Sequence, residues 1–181
     1  MKKLFGRIGA ILIALLFLVT SLGFSFLVIW ETHQQNRQNQ QQAEALKQLN
    51  QSKENQLQGK PLANFTPVAK IDKLQTIDTV VGKGAVVKAG DIVTVHYTGA
   101  VAATGTVFQS SLDTGQPVPL ELKQGSVIQG WVDGIPGMRV GGTRRLLIPA
   151  ALAYGATPRA GSGIPPNADL VFDVQLIKIG Q

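Results

Sequence analysis

One short apolar run at helical spacing, set among β-forming segments, narrows the choice of fold for this chain more than any other feature. Val127, Ile128, Trp131 and Ile135 recur at intervals that place them on a single helix face. Pro136 and Gly137 stop that helix. Around it, residues 68–77, 92–97, 106–108, 118–122, 144–148 and 170–179 are rich in β-branched and aromatic side chains and read as strands. One amphipathic helix among many strands predicts a sheet that curls over it, with Trp131 at the packing centre. Periodicity alone makes Trp131 a core residue and nothing more.

The N-terminal third has a different character. Residues 8–30 carry no charge, and as a helix they would be roughly 34 Å long, against a hydrocarbon core of about 30 Å. Lys2, Lys3 and Arg7 precede the run, and only Arg37 closely follows it, which predicts a cytoplasmic N-terminus. Ser21-Leu-Gly23 offers a small-x-small cleavage site, so a secreted protein with a removed signal peptide is the alternative. The apolar run continues past that site to Trp30, which favours an uncleaved signal-anchor with the rest of the chain outside the cytoplasm. Residues 31–58 are half Gln or Asn and cannot bury a core. Ala43, Leu46 and Leu49 hint at helix there, and Gly59-Lys60-Pro61 ends the stretch. The expected domains are therefore a membrane anchor over 1–30, a polar linker over 31–66 and a folded domain over 67–181.

Composition removes several function classes. The formal net charge of +6 suggests a nucleic-acid partner, yet residues 67–181 hold ten basic side chains against eight acidic ones. No basic stripe for phosphates results, and Arg144-Arg145 reads as an exposed strand pair. There is no cysteine, and His96 is the lone histidine of the expected domain, so neither a thiol nucleophile nor a histidine-based metal site or triad can be assembled. Alternating with Val95 and Tyr97, His96 reads as a half-buried strand residue. Gly82-Lys-Gly84 and Gly141-Gly142 read as turns. What remains is an apolar set with a few hydroxyls: Tyr97, Phe108, Val127, Ile128, Trp131, Tyr154 and Phe172. These could converge on one concave pocket of the kind that takes apolar or prolyl side chains.

Eight runs then fall in one order. They are Val95-His-Tyr-Thr-Gly99, Gly105-Thr-Val-Phe108, Ser110-Ser111, Val127-Ile-Gln-Gly-Trp131, Gly137-Met-Arg-Val-Gly141, Tyr154-Gly-Ala156, Ile164-Pro-Pro166 and Leu170-Val-Phe-Asp-Val174. In order and spacing they resemble the FKBP-type peptidyl-prolyl cis-trans isomerases over about residues 68–181. The resemblance implies an α+β fold in which a curved antiparallel sheet wraps one short helix. It implies isomerase activity on proline-containing polypeptides without cofactor or metal, and macrolides as a further ligand class. It also implies roles: Trp131 as pocket floor, with Tyr97, Phe108, Val127, Ile128 and Phe172 as walls. The Ile128 N–H and the Tyr154 hydroxyl become donors to substrate carbonyls, and Ile164 belongs to a loop, 154–167, over the pocket. Two positions depart from the family pattern. Gln109 stands where an aspartate is usual, and Val118 where a larger aromatic is common, which opens the wall there.

Overall fold

In the computed structural model, residues 30–53 and 56–180 are described. The chain divides into two compact units, residues 1–54 and 55–181. In the first, residues 30–53 form a helix (α1) with every residue exposed. Its Gln, Glu, Ala, Leu and Lys residues are good helix formers, and neither Gly nor Pro interrupts them. Among the described residues no helix is long and apolar enough to cross a membrane. The span expected over residues 8–30 lies, apart from Trp30, outside the described residues.

The second unit is built on one six-stranded antiparallel sheet. Its strands are β1 (Gln75–Val80), β2 (Ile92–Val101), β3 (Val107–Ser110), β4 (Val118–Glu121), β5 (Thr143–Ile148) and β6 (Leu170–Ile179). They lie in the order β1-β5-β6-β2-β3, and β4 continues the β3 side of β2. The ten-residue β2 serves two partners along that side, β4 at Ile92–Val95 and β3 at Thr98–Ala100. Along its other side it pairs with β6, and irregular registers at Thr94/Val95 and Gly99/Ala100 bend it. Bulges of this kind increase twist and curvature.

Strand alternation decides what the curved sheet encloses. Val93 and Val95 of β2, Leu146 and Ile148 of β5, and Leu170, Phe172, Val174 and Leu176 of β6 face one core with Trp131 and Ile135. That core holds the helix α2 (Gln129–Gly134). The helix begins after Ile128, so Val127 and Ile128 lie before it and not on its face as the apolar spacing suggested. Its contact with the sheet is set by two glycines. A Cβ on Gly130 would lie 2.5 Å from Ile148 Cγ2, and one on Gly134 would lie 2.9 Å from Leu146 Cδ2. Four residues apart, they share one helix face and let its backbone sit close on β5.

The opposite sheet face is covered as well. Leu62 packs with Ala100, Val107 and Val171, and Ile71 packs with Ala102 and Leu147; Phe65 touches both groups. Backbone bonds from Gly59 N to Val107 O, Leu62 N to Gly105 O and Val107 N to Lys60 O fasten this strap. Residues 56–66 therefore belong to the folded unit, and its boundary falls earlier in the chain than the 66/67 division read from the sequence. The first strand also differs from expectation: residues 68–74 form no strand, and β1 occupies 75–80.

Arg144 and Arg145 are not an exposed pair; their side chains are only 11% and 14% exposed. Arg144 clamps Asp78 of β1 and donates to the carbonyls of Gly134 and Pro136 at the end of α2. That guanidinium holds the Asp78 carboxyl below its ordinary value. Arg145 makes two bonds to Asp173 and donates to the carbonyls of Ala63 and Asn64 in the strap. The sequence view missed this because it counted the charges without knowing which carbonyls needed donors.

Candidate functional site

The cleft over Trp131 is built from β2, β4, the turn before α2, β6 and the loop that follows β5. Tyr97, Gln109, Val118, Val127, Ile128, Trp131, Tyr154 and Phe172 line a volume of about 320 Å³, together with Pro119, Leu120 and Ser126. None of these side chains carries a charge. Phe108, expected in the same wall, and Ile164, expected in the loop over the pocket, line a larger adjoining cleft of about 640 Å³ instead. Gln109 and Tyr154 border both clefts, so the two lie side by side.

The floor is an aromatic cluster. Trp131 lies edge-on to Tyr97 and to Phe172, each with ring centroids 5.3 Å apart, and Phe172 lies edge-on to Phe108 at 5.7 Å. Edge-to-face pairs of this kind are each worth about 0.5–1.5 kcal/mol beyond their buried area. Gly99 makes room for them, since a Cβ there would lie 2.6 Å from both the Phe108 and the Phe172 ring. The indole Nε1 of Trp131 is buried with no hydrogen-bond partner among the described residues.

Tyr97 is held through its backbone by residues that the sequence reading named as a motif without giving them a role. The Ser111 hydroxyl accepts from Tyr97 N at 2.9 Å, and the hydroxyls of Ser110 and Ser111 lie 3.3 Å from Tyr97 O. Ser111 also meets His96 Nδ1 at 3.0 Å, which accounts for that half-buried histidine structurally. Burial raises the Tyr97 phenol above its usual 10.0, and the neighbouring Tyr154 raises it further. Burial likewise raises Tyr154, whose residue remains 42% exposed at the cleft rim. Both hydroxyls therefore stay protonated, and able to donate, throughout the neutral range.

The loop carrying Tyr154 is fixed at its base. Asp169 accepts from the backbone N–H groups of Ile71 and Ala150, and Gly155 N bonds to Ala150 O. The Ile128 N–H, just ahead of α2, has no hydrogen-bond partner among the described residues. The Gln109 side chain is exposed and makes no hydrogen bond within the described residues, to Tyr97 or to any other. The arrangement offers an uncharged slot floored by aromatic rings, with a phenol donor at its rim.

A family model described as FKBP-type peptidyl-prolyl cis-trans isomerase matches residues 82–177. The peptidyl-prolyl cis-trans isomerase FPR2 of Saccharomyces cerevisiae is 53% identical over 90 residues, covering 50% of this chain and 66% of that protein. An FK506-binding protein of Neisseria meningitidis serogroup A is 50% identical over 98 residues, covering 54% and 86%. Among solved structures, AtFKBP13 superposes with a TM-score of 0.54 at 37% identity, over 62% of this chain and 97% of that one. A peptidyl-prolyl cis-trans isomerase of Pseudomonas syringae gives 0.53 at 31% identity, over 63% and 80%.

Proposed function

Because this chain belongs to the FKBP-type peptidyl-prolyl cis-trans isomerases, we propose that it accelerates X–Pro rotation in exported or cell-envelope proteins by favouring the twisted amide in an apolar cleft. The observation that carries the mechanism is the uncharged lining of the Trp131 cleft with a phenol at its rim. Amide resonance sets a barrier of about 18–20 kcal/mol, and an X–Pro bond left alone turns over in tens to hundreds of seconds. The twisted amide has lost conjugation and is less dipolar than the planar one, so an apolar slot costs it less desolvation. That is binding of the transition state in preference to the ground state. The Ile128 N–H and Tyr154 hydroxyl would hold the flanking carbonyls in the twisted geometry, and each ~1.36 kcal/mol so gained is tenfold in rate. A macrolide is a second ligand class for the same cleft.

The uncharged run over 8–30 and the basic residues before it support a membrane-anchored chain, N-terminus cytoplasmic, with α1 as a spacer and the isomerase outside. A secreted form, cleaved after Gly23, is the alternative, and carbonate-wash fractionation of the mature chain separates the two.

Gln109 motivates a second reading, a prolyl-binding chaperone with little turnover, because its amide is unattached and uncharged where the family pattern has a carboxylate. X–Pro exchange by NMR, with the full chain beside its Gln109→Asp variant, decides between them. Fast wild-type exchange with little gain in the variant supports the isomerase. Exchange near the uncatalysed rate, with a strong gain in the variant, supports the binder.

A further inference from the structure

The larger cleft, next to the prolyl slot, has a character of its own. Besides Phe108 and Ile164 it is lined by Gln58, Gln109, Arg159 and Ser162. Among the described residues, Arg159 is the one charged residue bordering either cleft. Its guanidinium is exposed and makes no ion pair or hydrogen bond with the described residues, in contrast to Arg144 and Arg145, which are fully engaged. Asp113 does not border the cleft, and both its oxygens accept from the backbone N–H groups of Leu57 and Gln58. Gln109, where a carboxylate would have offset the arginine, adds no negative charge. Since Gln109 and Tyr154 border both spaces, residues flanking a proline on Trp131 come within reach of this one.

We propose that the cleft beside the prolyl slot is a subsite for an acidic side chain of the substrate, held by Arg159 with Gln58, Gln109 and Ser162 as polar partners. The inference rests on the isomerase reading and adds a substrate class to it: proline-containing segments with Asp or Glu within two residues of the proline. A guanidinium suits a carboxylate because it can donate two parallel hydrogen bonds. Its exposure limits the gain to that of a surface pair, about three- to fivefold in kcat/KM.

The test uses the full chain and proline peptides with Glu, Gln or Lys either directly before the proline or two residues after it. NMR gives both the exchange rate and the dissociation constant for each peptide. At low salt the Glu peptide should outperform the Gln peptide by about three- to fivefold at one of the two positions. The ratio should fall towards one at about 0.5 M salt, where screening is short-ranged. It should also fall towards one in Arg159→Gln and turn in favour of Lys in Arg159→Glu. Equal Glu and Gln peptides at both positions, or a preference unchanged in Arg159→Gln, overturns the subsite. If even the Gln peptide is not accelerated, the isomerase reading fails, while the ratio of dissociation constants still decides the subsite.

Discussion

Gly99 shows how little of this site lies in the residues that touch a substrate. It sits in β2 between Thr98 and Ala100, and its missing side chain is the space that the Phe108 and Phe172 rings occupy. An alanine there, with its Cβ 2.6 Å from both rings, must push them apart or bend β2. Overpacking of this kind costs about 1–3 kcal/mol. Phe172 meets Trp131 edge-on, so the displacement reaches the pocket floor. Gly99→Ala should therefore melt several degrees below the wild type and lose kcat/KM together, by thermal unfolding and X–Pro exchange. A variant that melts normally and turns over normally would show that the rings adjust freely. Gly99 was visible in the Val95–Gly99 motif, but its purpose was not, because a sequence does not say which rings meet over a glycine. Tyr97, Phe108, Val127, Ile128, Trp131, Tyr154 and Phe172 read as one set, since aromatic and β-branched residues have few uses in such a domain other than a core or a pocket, and all but Phe108 line the Trp131 cleft. Arg159 was not, since an isolated loop arginine looks like any solvated charge until the neighbouring space is seen.

At the scale of elements, the short helix is placed less by its apolar stripe than by its glycine face. Apolar spacing put Val127, Ile128, Trp131 and Ile135 on one helix, yet α2 starts only at Gln129. Periodicity counts side chains that seek a core, and Val127 and Ile128 seek the pocket from the turn ahead of the helix. Gly130 carried no weight in that count, although it lets α2 approach β5 closely enough to set the height of Trp131 beneath the cleft. Gly130→Ala raises intrinsic helix propensity by about 1 kcal/mol. It also drives a methyl to within 2.5 Å of Ile148 Cγ2 and 2.8 Å of its Cδ1. The clash should win, with a net loss of about 1–2 kcal/mol in denaturant unfolding. Indole fluorescence should shift as Trp131 moves, though Trp30 adds a constant background. Ile148→Val removes only the Cδ1 contact and should rescue Gly130→Ala in part. Full stability in Gly130→Ala alone would mean that α2 is not seated by this contact. β6 behaved more simply. Its alternation of Leu170, Phe172, Val174 and Leu176 towards one core gave a strand whose ends the structure keeps.

The larger of the two units is organised by a sheet with two covered faces, and only one cover was legible. The inner face follows from alternation and the helix. The outer face depends on Leu57, Leu62 and Phe65, which are separated by Gly, Pro and polar residues and follow no period, so they read as linker. They come together only because β2, β5 and β6 present Ala100, Leu147 and Val171 outwards, and because Arg145 ties the strap carbonyls to Asp173. Stability and catalysis should therefore separate when the strap is removed. A fragment beginning at residue 67, compared with one beginning at residue 55, uncovers Val107 and Val171 and loses the buried Leu62. It also leaves the N–H of Val107 without its bond to Lys60 O. Loss of one buried leucine alone is worth roughly 2–5 kcal/mol. At roughly 3–5 °C per kcal/mol for a domain of this size, the melting temperature should fall on the order of 10–20 °C. Well below that melt the shorter fragment should still exchange an uncharged proline peptide at nearly the rate of the longer one, because the Trp131 cleft opens on the other side of the sheet. Its preference for a carboxylate should weaken, since Gln58 leaves with the strap while Arg159 stays. Equal melting temperatures would refute the strap as part of the fold. Equal stability loss with all activity gone at low temperature would mean that the outer cover also shapes the cleft, through Tyr97 and the serines that hold its backbone.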